Sequence, residues 1–347
     1  MPEIPNAVIR GIATHFPSGL ITNEALSEQF PDWQVDKIAE KTGITVRHKV
    51  CEGESALDLA EAAVRKLLAE GRIYSAEGAP SAIDPDGIDA LLYCTQSPDY
   101  VMPTNACLLQ HRLGLPTTTM AFDYNLGCSG YVYGLALAKG LIASGQVKTI
   151  LLVTADVITR YIADDDRSVR TLFGDAATAT LIEAGDESMS GGHIGSGVYG
   201  TDGSGAANIV VTGAGLDGRP LDHRSAGRRE GPTLFMDGPE VFAFSLSAVP
   251  KVLDQLYARA GIDAAGIDRF IFHQANRYML EHLRRKLRIS HERFIIEIAD
   301  VGNTISSTIP IALSRACLDG RVIPGHRLAL VGFGVGFSWG AVVVDWR

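Results

Sequence analysis

Short apolar runs alternate with longer helix-like stretches in both halves of this chain. In the first half the strand-like runs are 7–13, 89–95, 119–124, 149–155 and 176–183, and helix-like stretches occupy 55–71, 104–113 and 131–144. In the second half a helix-like stretch at 239–260 precedes a strand at 269–272, helices at 276–287 and 304–317, and strands at 327–333 and 341–346. Strands separated by helices of ten or more residues specify βαβ units, hence an α/β fold with parallel or mixed sheets. With 347 residues, 46% of them hydrophobic, the chain can bury a large core in one domain or in two fused halves. The halves show no evident repeat in residue identity. A Gly-rich polar stretch, 186–233, lies between them; it includes the charged run 224–230 and is expected to form surface loops and hairpins. The expected organisation is therefore 1–185, a connecting segment 186–233, and 234–347.

Three strand-to-helix junctions carry residues with chemistry. The first is Asn125-Leu126-Gly127-Cys128-Ser129-Gly130. A cysteine at a helix N-terminus meets the positive end of the helix dipole and unpaired N–H groups, which favour a thiolate. The same N–H groups can hold an oxyanion when a thioester is attacked. By itself the motif fits an inert buried cysteine equally well. The second junction is Phe272-His273-Gln274-Ala275-Asn276, and the third is Val301-Gly302-Asn303-Thr304. A lone His or Asn near a helix start is commonly a cap. Cys, His and Asn on three such elbows form a set that chance rarely assembles.

Composition removes several classes of function. The five cysteines are scattered with no CxxC pair, which argues for a reducing cytoplasm and against a disulfide framework or zinc site. A formal charge of −9 argues against general nucleic-acid binding, while leaving room for a local basic patch. No apolar run reaches the roughly 18 residues that would suggest a membrane span, and the start of the chain does not look like a signal peptide. The stretch 195–200 fits the literal GxGxxG pattern, but no helix start follows, so a dinucleotide site is not expected. Asp164-Asp165-Asp166 reads as a solvated turn, and the histidines show no metal-ligand spacing. No metal is expected.

In these motifs, and in their order, the chain resembles the β-ketoacyl-acyl-carrier-protein synthase III family of the thiolase-like superfamily. The matching residues are Gly127-Cys128-Ser129-Gly130, His273-Gln274-Ala275-Asn276 and Gly302-Asn303-Thr304, with the Gly-rich run 332–340, Lys41-Thr42-Gly43-Ile44, and Asp166-Arg167 followed by Phe173-Gly174-Asp175. The resemblance implies a thiolase-like fold of two similar βαβ-rich halves with layered mixed sheets and helices, assembled as a homodimer. It implies that Cys128 attacks an acyl thioester and stores the acyl group, and that malonyl on acyl carrier protein then loses CO₂ to give the attacking enolate. His273 and Asn303 would donate hydrogen bonds to the thioester oxygen where enolate charge develops. The backbone N–H groups of Cys128 and Val335 would hold the oxyanion of the acyl-transfer step. Coenzyme A or phosphopantetheine thioesters are the implied substrates, with no tightly bound cofactor.

The resemblance also assigns peripheral positions. Arg167, Lys37 and Asn276 fall at coenzyme A-binding positions, although Lys37 stands where the family often has an aromatic residue over the adenine. Val335 stands where the family often has glycine. Arg285, Lys286 and Arg277 are expected to dock the acidic carrier protein; a basic cluster at a helix C-terminus would also simply offset the dipole. Met102 falls where a residue crosses the dimer interface to limit the acyl pocket, and a flexible Met there is compatible with a chain longer than acetyl. Three other readings stay open at this point. One is acyl transfer to another acceptor without decarboxylation. Another is a Cys-His-Asn peptidase, whose usual sequence setting around the cysteine is absent. The last is a non-catalytic partner subunit, against which the retention of all three residue types argues.

Overall fold

The computed structural model describes residues 5–71, 82–213 and 231–347; the charged run 224–230 lies outside the described residues. In the first half the strands are β1 (Asn6–His15), β2 (Gly19–Thr22), β3 (Val46–Lys49), β4 (Ala90–Cys94), β5 (Met120–Tyr124), β6 (Thr149–Asp156) and β7 (Ala176–Gly185). The helices there are α1 (Asn23–Gln29), α2 (Val35–Thr42), α3 (Ala56–Glu70), α4 (Asn105–Leu113), α5 (Gly130–Ala143) and α6 (Arg167–Arg170). The second half contains β8 (Gly192–Thr201), β9 (Ile209–Thr212), β10 (Thr233–Met236), β11 (Arg269–Phe272), β12 (Phe294–Ile295), β13 (Arg327–Gly334) and β14 (Ser338–Trp346). Its helices are α7 (Gly238–Ala260), α8 (Arg277–Lys286) and α9 (Thr308–Leu318).

Ten strands hydrogen-bond in the order β12-β11-β13-β14-β8-β1-β7-β6-β4-β5. The order reads as one five-strand pattern used twice. β5, β4 and β6 run parallel, then β7 and β1 pair antiparallel. β12, β11 and β13 run parallel, then β14 and β8 pair antiparallel. The halves join where Val8 pairs with His193 and Ile9 with Gly192.

Alternation along each strand sorts the core into layers. Leu92 and Leu152 of the first half, and Leu328 and Leu330 of the second, face the central helices α5 and α9. Their neighbours Leu91, Tyr93, Leu151 and Val153 turn the other way, onto α3 and α4. Ala329, Val331 and Phe333 likewise turn onto α7 and α8. The result is helix, sheet, helix, sheet, helix, with α5 and α9 buried between the half-sheets. α3 starts cleanly because Ser55 and Asp58 cap one another's backbone N–H groups.

Two expectations from the sequence change here. The stretch 186–233, expected as a connection of loops and hairpins, contains β8, an interior strand between β14 and β1. The second half therefore begins with β8, near residue 192. Its glycines make room for aromatic rings: a Cβ at Gly197 would collide with the Tyr199 hydroxyl, and one at Gly200 with the Trp339 ring. The GxGxxG stretch is thus a strand. The helix expected over 304–317 starts later as an α-helix, because Ile305 has φ 54° and a 3₁₀ turn, Ile305–Ser307, precedes α9.

Candidate active site

The three junctions converge on one cavity of ≈ 470 Å³. Cys128 sits between β5 and α5, only 8% exposed. The end of β13 closes over it, and a Cβ at Gly334 would lie 2.6 Å from the Cys128 sulfur. Only glycine permits that approach. The next residue, Val335, aims its backbone N–H at the sulfur, as Cys128 does its own. Burial nevertheless pushes the thiol up to about 12, outweighing the two N–H groups. Burial thus opposes the thiolate that the helix N-terminus favours.

His273 follows β11, is 2% exposed, and lies edge-on to Phe333. Burial lowers its pKa to about 3, so the ring is neutral at any physiological pH. Its Nδ1 lies 2.7 Å from the Thr308 Oγ1. Its Nε2 lies 3.5 Å from the Asn303 Nδ2. The Asn303 amide is oriented by its own loop, since its Oδ1 accepts the Ile305 N–H at 3.0 Å. The Nδ2 is left as a donor toward His273 and the cavity. One oxygen placed between these two nitrogens is within hydrogen-bond reach of both.

The support behind Asn303 is built from the segment preceding β7. The Asn303 N–H donates to the Leu172 carbonyl at 2.8 Å, and the Gly174 N–H donates to the Asn303 carbonyl at 3.1 Å. A Cβ at Gly174 would lie 2.6 Å from the Val301 carbonyl oxygen, which explains a glycine between Phe173 and Asp175. Arg47, fully buried, donates to the Thr171 carbonyl and to Asn23 Oδ1 and braces this segment. Burial lowers its pKa to about 10, leaving it charged at neutral pH. Asp156, at the end of β6, accepts from the backbone N–H of Gln96 at 2.8 Å, from that of Ser306 at 3.2 Å, and from the Ser306 hydroxyl. Burial lifts its pKa to about 6.

Asn276 lines the cavity and caps α8, its Oδ1 accepting the Met279 N–H at 2.8 Å. Lys37 on α2 and Arg167 at the start of α6 are exposed and do not line the cavity. Phe30 and Trp33 stack with ring centroids 4.0 Å apart just before α2. Arg277 is exposed and packs against Gly43. Arg285 is largely exposed, 3.7 Å from Glu281, and Lys286 is exposed beside it. Met102 is 80% exposed and stands outside the cavity of its own chain. Sequence reasoning gave no role to Gln96, Thr308 or the apolar wall of Ile158, Ile209, Leu234 and Met236. The wall did leave a signal, the apolar runs at 209–211 and 234–236 within a polar stretch. Among the described residues, no group of three or more His, Cys, Asp or Glu could hold a metal ion, and no helix is long and apolar enough to cross a membrane.

Known proteins share these features. The family model for 3-oxoacyl-[acyl-carrier-protein (ACP)] synthase III matches residues 122–203, and the model for its C-terminal part matches 257–346. A β-ketoacyl-[acyl-carrier-protein] synthase III from Rhodospirillum centenum is 34% identical over 345 residues, 98% of this chain and 99% of the relative. The chain belongs to the 3-oxoacyl-[acyl-carrier-protein] synthase III family. A crystal structure of a 3-oxoacyl-(acyl-carrier-protein) synthase III superposes with a TM-score of 0.89 at 46% identity, covering 99% of this chain and 100% of that one. The 3-oxoacyl-(acyl-carrier protein) synthase from Burkholderia xenovorans LB400 gives 0.87 at 36% identity, covering 98% and 94%. The thiolase-like fold expected from the sequence is the fold of this synthase III, and the chain is an enzyme of the condensing type.

Proposed function

We propose that this synthase III is an acyltransferase that loads an acyl group onto Cys128 and condenses it with malonyl-acyl-carrier protein to a 3-oxoacyl thioester. The observation that carries the reading is the placement of two uncharged groups, the Asn303 Nδ2 and the His273 Nε2, 3.5 Å apart in the cavity that holds Cys128. In the first step the Cys128 sulfur attacks the acyl thioester carbonyl. The N–H groups of Cys128 and Val335 hold the oxyanion, and the departing thiolate leaves as a thiol with the proton Cys128 gives up. In the second step the malonyl thioester oxygen receives both donors. The bond to the carboxylate breaks, CO₂ departs, and the electron pair becomes an enolate. Its carbon attacks the acyl-Cys carbonyl, the C–S bond breaks, and the released Cys128 thiolate takes a proton from solvent. Neither donor has to lose a proton, which suits an uncharged imidazole and an amide.

The reading takes coenzyme A or carrier-protein thioesters as substrates and no tightly held cofactor. Arg285, Lys286 and Arg277 on α8 would meet the acidic carrier, and Lys37 and Arg167 would lie toward a coenzyme A nucleotide. A homodimer would use β5, an edge of the sheet, together with Tyr100, Val101 and Met102, which are 59%, 88% and 80% exposed. Met102 of one copy would then limit the acyl pocket of the other. The cytoplasm is the expected setting, where Cys128 stays reduced.

The test is intact-protein mass spectrometry after incubation with a panel of acyl-coenzyme A and acyl-carrier-protein thioesters, followed by malonyl-carrier protein. The expected result is an adduct on Cys128 that malonyl-carrier protein discharges with release of CO₂. An adduct that malonyl-carrier protein leaves in place would overturn condensation and point to transfer onto another acceptor.

A further inference from the structure

His273 can donate to a thioester oxygen only if its proton sits on Nε2, and among the described residues the Thr308 hydroxyl is the side-chain group that meets its other nitrogen. Thr308, the first residue of α9, is 2% exposed. Its hydroxyl oxygen lies 2.7 Å from His273 Nδ1 and 3.1 Å from the carbonyl oxygen of Ile305. A threonine hydroxyl has one proton to give and lone pairs with which to receive. Two arrangements follow. In the first, Thr308 donates to the Ile305 carbonyl, Nδ1–H donates to Thr308, and Nε2 turns a lone pair to the cavity. In the second, Thr308 donates to Nδ1, and Nε2–H faces the cavity.

Asn303 has no such freedom, because the Ile305 N–H fixes its Oδ1 as acceptor and its Nδ2 as donor. An oxygen that collects charge between Nδ2 and Nε2 is stabilised from both sides only in the second arrangement. In the first it would face a lone pair. His273 is also 2% exposed, the ring it meets edge-on, Phe333, offers no hydrogen-bonding atom, and besides Thr308 the Ile305 backbone lies within reach of the imidazole. We propose that Thr308 is a positioning residue for the condensation step: its hydroxyl donates to Nδ1 and holds His273 as the Nε2–H tautomer. The proposal rests on the reading of His273 and Asn303 as paired donors.

The experiment uses the full chain labelled with ¹⁵N-histidine, the His273 signals being assigned by their loss in His273→Gln. Wild type is expected to show a bare Nδ1 and a proton on Nε2. Thr308→Val should mix or invert the tautomers and slow malonyl decarboxylation roughly ten- to a hundredfold, short of the loss of a whole oxyanion donor. Its rate of Cys128 acylation should be unchanged. Thr308→Ser should restore both the tautomer and the rate. A wild-type proton on Nδ1 would overturn the proposal, as would a Thr308→Val enzyme that slows without any change of tautomer. Should Thr308→Val fail to fold, the wild-type spectrum still decides. Should wild type never decarboxylate malonyl-carrier protein, the condensing reading fails separately, with the tautomer still read from the spectrum.

Discussion

In the first half the chain leaves β5 and enters α5 with Cys128 two residues ahead of the helix. In the second half it leaves β12 and enters α9 with Ser306 two residues ahead. The duplicated topology makes these equivalent places, yet only one faces the cavity. The difference lies in the last residue of the equivalent strands opposite, Gly334 of β13 and Asp156 of β6. Gly334 has no side chain and lets Cys128 look into open space. Asp156 takes the Ser306 hydroxyl and backbone N–H, and Ser306 is 1% exposed. The second elbow is sealed by a carboxylate, and the loop before it, turned at Ile305, sends Asn303 into the cavity instead. One scaffold used twice thus supplies a nucleophile from one copy and a donor from the other.

The sharpest way to break this comparison is to exchange the nucleophile. Cys128→Ala is expected to abolish the acyl adduct and all condensation, read by intact mass and product formation. Adding Ser306→Cys to Cys128→Ala should restore neither, because that position is closed; acylation of the introduced thiol would disprove the sealing. Next in size, His273→Ala or Asn303→Ala should keep the adduct while CO₂ release from malonyl-carrier protein slows about a hundred- to a thousandfold. Normal decarboxylation in His273→Ala would remove that residue from its role.

The seal itself is tested by Asp156→Asn. An amide nitrogen would face a donor where the carboxylate oxygens now accept three, so denaturant unfolding should show a loss of about 1–3 kcal/mol. An unchanged midpoint would mean the carboxylate does not hold the elbows together. The smallest effect concerns the neutral imidazole. His273 protonates near its ordinary 6.5 when unfolded but only near 3 when folded. Between those values the unfolded chain binds more protons, so stability falls as pH drops through that window. From pH 7 to pH 5, wild type should lose about 2 kcal/mol more than His273→Asn. Equal losses would mean that the ring takes up its proton without unfolding.

The elements legible in the sequence are those whose physics is local. β6 and β13 are apolar on both faces, so they read as continuous runs, and the elbows around Cys128 and His273 announce themselves by composition at strand ends. β8 was hidden because its glycines are set by the rings of Tyr199 and Trp339, the latter from a strand more than a hundred residues away. The state of the Cys128 thiol was hidden for a similar reason. A helix N-terminus is visible in sequence, whereas the desolvation that opposes it comes with β13 folding back over the sulfur. Thr308 stood in the helix-like stretch 304–317, but its partner is thirty-five residues upstream.

The position of β1 has a consequence for how the chain is made. It is the first strand among the described residues, and its apolar residues Ala7, Val8, Ile9 and Ile12 are fully or almost fully buried. Its two neighbours in the sheet are β7 and β8, so Asn6 waits for Gly185 and Val8 for His193. At ribosomal speeds of about 5–20 residues per second, that wait is roughly 10–40 s. Throughout it, an apolar strand has neither of its partners, and a pause in translation before β7 prolongs the exposure.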